Sequence, residues 1–333
     1  MTTLIYLDQF VYSNIAKCEI GNEKGKCDYW FELYELLKEK VEAEKIICPY
    51  SQFHIEETLL LKDEKLYEKH KELWFELSKG YFFVDFMDTK KNYLWFYTRE
   101  WLKDKKFNSE EDLINKFREK NKEQYLRQFP FIKNNHVNNE KVYEERQYFS
   151  ELNSFLLKKW QKENEISFDK MYKDEVNSFI YIIILYSLNI PYLKRFFEFF
   201  GLYFTNLIEY KKIIVSALSY NRKASIDKIK KDFIQFLSFE NFEKIPFIKI
   251  GCLLNAAKAR KIAHGSKKLT PSFENDVDIV AVHLPLVDAI FLDDEIRGYL
   301  KENPIKQKTS VYGTKIFSMR YKEEFMKYIK EIK

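Results

Sequence analysis

Leu4-Ile-Tyr-Leu7-Asp8 near one end of the chain and Val287-Asp288-Ala-Ile-Phe-Leu292-Asp293-Asp294 near the other are the stretches that decide the fold. Each is a short apolar, β-type run closed by carboxylates, which is how a buried strand ending in a polar turn reads. The first is followed by a polar-apolar segment at Tyr12–Lys17, read as helix. The second is preceded by a helical Val277–His283 and followed by a helical Glu295–Lys301. Strand and helix therefore alternate at both ends, and alternation predicts one parallel sheet built from the two termini and flanked by helices.

Working outward, Trp30–Val41 carries apolar residues at helical spacing, and Lys45–Cys48 before Pro49 reads as a second strand. Ser51 is placed to cap the helix that follows, which extends through Leu61 with more helix to Leu77. Gly80 then precedes a strand-like Tyr81–Val84. From about Lys90 to Ile250 the pattern is long charged-aromatic helix with no convincing strand. After Gly251 a helix runs to about His264, and Lys315–Phe317 and Arg320–Ile332 read as a last strand and an amphipathic helix. The expected organisation is an α/β core from residues 1–88 and 251–333, with residues 89–250 as a mostly helical insertion.

Composition narrows function by exclusion. Only 8 of 333 residues are Gly, about 2.4% against a usual share of roughly 7%. No two glycines are spaced as GxGxxG or GxxxxGK[ST], which argues against a backbone cradle for phosphates. The net charge of +5 permits a polyanionic partner without demanding one. The four cysteines form no CxxC and no zinc-type Cys/His spacing. A core of this size needs no disulfide, so a reducing, cytoplasmic compartment is expected. No signal peptide is evident, and the apolar run Phe179–Ile190 is too short for a membrane span.

Strand ends matter because open α/β sheets bind ligands outside the carboxyl ends of their strands. Asp8, Asp293 and Asp294 follow two such strands; Glu56 and Glu57 lie on the helix after the strand Lys45–Cys48, and Asp276, Asp278 and Asp288 flank the late helix and strand. One Asp at a strand end commonly serves as a turn or cap. Several converging at one edge would repel each other unless cations compensate, and hard oxygen donors suit Mg²⁺ or Mn²⁺.

Ile5-Tyr-Leu-Asp8-Gln-Phe-Val-Tyr, Cys48-Pro-Tyr-Ser51-Gln-Phe-His54-Ile-Glu56-Glu57 and Asp276-Val-Asp278 through Leu284-Pro-Leu-Val-Asp288-Ala-Ile-Phe-Leu-Asp293-Asp294 resemble, in order, the acidic motifs of PIN-like nuclease domains. The resemblance implies a PIN-like parallel sheet and a metal-dependent endonuclease, with RNA as the expected substrate. It places the catalytic carboxylates on Asp8, Glu57 (before Glu56), Asp288 and Asp293, with Asp276, Asp278 and Asp294 as further metal ligands. The LP-x-x-D-A-x-x-x-D pattern is what favours Asp288 and Asp293. Ser51 and His54 would orient the site, since His54 shares a helix face with Glu57. His283, on an apolar helix, reads as structural.

A polyanion also needs basic residues beside the acidic pocket. Lys258, Arg260, Lys261, Lys267 and Lys268 precede the acidic motif and Arg297 follows it, although Lys-rich faces are common in this chain. Two other readings stand beside the nuclease: a non-catalytic protein that binds a partner through its helical region, and a HEPN-type RNase, for which Arg260 and His264 have only three residues between them.

Overall fold

The computed structural model describes residues 2–21, 27–107, 109–128, 158, 160–162, 167–187, 202–265 and 272–333. In chain order the elements are β1 (Thr3–Leu7), α1 (Gln9–Glu19), α2 (Asp28–Glu42), β2 (Ile46–Ile47), α3 (Gln52–Thr58), α4 (Glu64–Ser78) and β3 (Tyr81–Phe83). Then come α5 (Phe86–Asp104), α6 (Glu110–Lys120), α7 (Lys122–Tyr125), β4 (Leu126–Gln128), α8 (Phe168–Ser187), α9 (Leu202–Ser219), α10 (Ile226–Phe236) and α11 (Phe239–Phe242). The chain closes with α12 (Pro246–Ala263), α13 (Phe273–His283), β5 (Ala289–Phe291), α14 (Asp294–Lys301), α15 (Ile305–Thr309), β6 (Lys315–Phe317) and α16 (Lys322–Glu331).

The fold is mixed α/β and mostly helical, around a four-stranded sheet of order β2-β1-β5-β6. Every neighbouring pair is parallel, and β1 meets β5 with Ile5 opposite Ala289, Tyr6 opposite Ile290 and Leu7 opposite Phe291. The two ends of the chain thus supply adjacent central strands. A parallel sheet is covered on both faces, so its strands are apolar throughout, and Ile5 to Leu7 and Ala289 to Phe291 are all fully buried.

Alternation along each strand then divides the core in two. Tyr6, Ile290 and Ile316 point to one face, into a cluster shared with α5, α12 and α13. Ile5, Leu7, Ala289, Phe291 and Phe317 point to the other, against α1, α2, α4 and α16. Helices from residues 89–250 therefore form part of the cover on the first face, and α12 runs unbroken from Pro246 through Gly251.

Two local features depart from expectation. The helical stretch holds a short strand, β4, which pairs antiparallel with β3 in a separate two-stranded sheet. It escapes the pattern because three residues, two of them exposed, are too few for alternation to show. Secondly, Cys18 and Cys27 are disulfide-bonded: the end of α1 and the residue capping α2 bring their Cα atoms 5.5 Å apart, a proximity that spacing alone does not reveal. Cys48 and Cys252 are free and buried. The apolar run at 179–190 is helical, as expected, through Ser187 at the end of α8, and its last three residues lie outside the described residues. No helix among the described residues is long and apolar enough to cross a membrane.

Candidate functional site

Asp8 is the first residue beyond β1. Its backbone N–H bonds to the Phe291 carbonyl (3.0 Å), which ties it to the end of β5, two residues before Asp293. Both aspartates are helix N-caps. The Asp8 carboxylate accepts from the Gln9 N–H (2.6 Å) at the start of α1, and that of Asp293 accepts from the Ile296 N–H (2.8 Å) at the start of α14. Each carboxylate thus sits at a helix N-terminus, where partial positive charge favours the anion.

Glu57 is brought to the same edge by two pins on α3. His54 is fully buried; its Nε2–H donates to the Leu7 carbonyl (2.7 Å) and its Nδ1 accepts from the Ser51 N–H (2.8 Å). Gln9 Nε2 donates to the Thr58 hydroxyl (2.6 Å). Residues 7 and 9, on either side of Asp8, are thereby tied to residues 54 and 58, on either side of Glu57. Burial drives the His54 imidazole down to about 4, so it stays neutral and keeps this donor-acceptor arrangement. The ring also packs against Tyr6 and Tyr12, with centroids 5.2 Å away in each case.

Asp276 enters from the first turn of α13. Burial pushes its carboxyl up to about 8, reinforced by the negative charges of Asp8, Asp293, Glu57 and Glu295. Asp8 is raised to about 7 by burial, then by Glu57 and Asp293, against the opposing Gln9 N–H. Asp293 is also raised, chiefly by burial. Four carboxylates from four elements thus share one electrostatic environment at the carboxyl edge of the sheet. Nearby, Glu295 takes the buried Lys258 ammonium at 2.7 Å; burial alone would raise its carboxyl, but Lys258 holds it below the usual range.

The remaining sequence candidates go elsewhere. Asp288, expected beside Asp293, lies at the opposite edge: it precedes β5, is exposed, and its carboxylate accepts from the Leu4 N–H (2.7 Å). Five residues of extended chain put it about 16 Å from Asp293. Two positions along a helix turn a side chain by about 200°, so Asp278 faces away from Asp276 and pairs with Lys90 of α5 at 2.6 Å. Asp294 accepts from the Ser318 hydroxyl (2.5 Å) and the Arg320 N–H, which link α14 to the turn after β6.

Of the basic candidates, Lys258 is committed to Glu295. Lys261 reaches Glu302 at 3.5 Å and covers the Tyr299 ring, and Arg297 donates to the Ile316 carbonyl and stacks on Tyr321. Arg260 is exposed, while Lys267 and Lys268 lie outside the described residues. His283 is buried, donates from Nδ1 to the Ile279 carbonyl and stacks on Tyr6. The pins Gln9 and Thr58 went unread in the sequence; their one signal is adjacency to Asp8 and Glu57.

Among the described residues no three His, Cys, Asp or Glu side chains stand close enough together to hold one metal ion as placed. The carboxylates sense one another's charge without forming a closed coordination sphere. Comparison with known proteins adds nothing to this geometry: no family profile, curated protein or solved structure matches the chain.

Proposed function

We propose that this protein is a metal-dependent nuclease of PIN-like type acting on RNA, with Asp8, Glu57, Asp276 and Asp293 as its acidic centre. The observation that carries the reading is the convergence of these four carboxylates at the carboxyl edge of a parallel sheet, with Asp8 and Asp276 raised to about 7 and 8. Burial leads in both shifts and the neighbouring carboxylates add to it, and a cluster of hard oxygen donors of this kind suits a dication. Mg²⁺ or Mn²⁺ held by these residues would supply Lewis-acid polarisation of a phosphodiester and make a water molecule acidic enough to attack it.

The chain's own residues have separable tasks in this reading. Asp8 and Asp293 are fixed by backbone hydrogen bonds on adjacent strands, so their spacing is rigid. His54 and Gln9 hold α3, and with it Glu57, against the end of β1. Lys258 keeps Glu295 ionised beside the centre without adding its charge to it.

The test is cleavage of labelled single-stranded RNA with Mg²⁺ or Mn²⁺, with chelator as control. Wild type should cut only with metal, and Asp8→Asn and Asp293→Asn should not cut. Metal-independent cutting, or variants as active as wild type, would overturn the reading. One observation favours a non-catalytic acidic scaffold instead, namely that among the described residues no three carboxylates are placed to share an ion. Isothermal titration with Mn²⁺ decides between them: binding that is lost in Asp276→Asn belongs to the nuclease, and no binding belongs to the scaffold.

A further inference from the structure

At the far end of α14 from Asp293 there is a cleft of about 230 Å³ between α12 and the residues entering α15. Its floor is apolar, formed by Phe168, Ala257 and Ile305, all buried. Its rim is polar: Arg260, Lys261 and His264 from the last turn and cap of α12, with Glu302 and Asn303 opposite. His264 Nδ1–H donates to the Arg260 carbonyl (2.8 Å), which leaves Nε2 as the ring's available nitrogen. Arg260 differs from the other described basic candidates: among the described residues no carboxylate or carbonyl takes its guanidinium.

We infer that this cleft binds one nucleotide of a single strand, its base on the apolar floor and its phosphate at Arg260, with Lys261 and His264 beside it. An unpaired guanidinium is the fork-shaped donor that phosphate oxygens accept best. Asn303 presents an amide to the edge of a base and Phe168 offers an aromatic surface, while the Glu302 carboxylate stays with Lys261. Volume limits how much can enter: about 230 Å³ lies below the roughly 300 Å³ at which drug-sized pockets begin, so one unstacked base enters, with its sugar and phosphate at the rim, and a base pair does not. Nine residues of helical rise separate Glu302 from Asp293, about 13 Å, so a strand seated in the cleft reaches the acidic centre a few nucleotides on. The inference rests on the nuclease reading and adds to it a preference for single-stranded substrate.

Fluorescence anisotropy tests this with the full chain carrying Asp8→Asn, a short labelled single-stranded RNA, the same RNA as duplex, and adenosine 5′-monophosphate as competitor. Arg260→Ala should weaken single-strand binding about tenfold or more, as loss of one charge-assisted contact does. Arg260→Lys should recover part of it, and the competitor should displace the strand. Because Arg260 is exposed, circular dichroism should show the variant folded as wild type. Unchanged affinity in Arg260→Ala, or duplex bound as tightly as single strand, would overturn the cleft. The two readings fail separately. Arg260-dependent binding without metal-dependent cleavage by the Asp8 form keeps the cleft and removes the nuclease; Asp8-dependent cleavage indifferent to Arg260→Ala does the reverse.

Discussion

Asp288 and Asp293 are the same residue type on either side of one three-residue strand, yet the fold treats them oppositely. At the amino edge Asp288 is exposed and spent on the Leu4 N–H, and is one of the bonds that register β1 against β5. At the carboxyl edge Asp293 is partly buried, caps α14, and its charge is felt by Asp8 and Asp276. A carboxylate at the amino edge meets strand N–H groups pointing outward and is satisfied by them. One at the carboxyl edge of a parallel sheet meets the starts of the following helices, which gather several such groups in one place.

The sharpest way to break this contrast is activity. On the proposed nuclease reading, Asp293→Asn should lower metal-dependent RNA cleavage by on the order of 10²–10³-fold, the usual scale for losing one electrostatic contact to the reacting centre. Asp288→Asn should leave it within about twofold. Equal losses from both would mean that the two edges are not chemically distinct.

Next in size is the pin that builds the carboxyl edge. His54→Ala removes the partners of the Leu7 carbonyl and the Ser51 N–H and opens a cavity, and should cost about 2–4 kcal/mol in urea denaturation. Cleavage should fall in the variant even where it remains folded. A stable, fully active His54→Ala would separate the pin from the site.

A smaller effect concerns pH. Asp8 and Asp276 keep protons up to about 7 and 8 in the folded chain, against 3.8 when unfolded. The folded state therefore binds more protons through this window, and stability falls as pH rises across it. The buried imidazoles act in the opposite sense: His54 and His70 are lowered to about 4 and His283 to about 3, from 6.5, so what they contribute is lost as pH falls below 6.5. Between pH 6.5 and 8 only the carboxylate effect remains. Without metal, the melting temperature should fall by about a few degrees over that interval, and Asp276→Asn should lessen the slope, the rest belonging to Asp8 and to Glu274, which burial raises to about 8. A wild-type profile that is flat or rising there would show that these carboxyls are not raised in the folded chain. The smallest effect belongs to the amino edge, where Asp288→Ala should cost less than about 1 kcal/mol, the scale of one exposed hydrogen bond, measured by the same denaturation.

How much of this was legible follows from how local each feature is. The strands ending at Asp8 and Asp293 could be read because a short β-type run closed by a carboxylate is encoded within a few residues. The capping role of Ser51 and the shared face of His54 and Glu57 are also short-range. The choice among Asp276, Asp278 and Asp288 could not be read locally. It depends on how α13 is rotated against α5, where Lys90 draws Asp278 away, and on where β5 begins, which sends Asp288 to the other edge. The Cys18–Cys27 bond depends likewise on how α1 and α2 meet.

Taken alone, the sequence determined that the chain is α/β, that its two ends join in one parallel sheet and that carboxylates close its central strands, because hydrophobic periodicity and turn chemistry act over a few residues. Tertiary packing alone decided which carboxylates share a field, which cations are already paired, and that Arg260 is left facing a cleft. Those outcomes depend on distances between residues far apart in the chain, and no local pattern carries a distance.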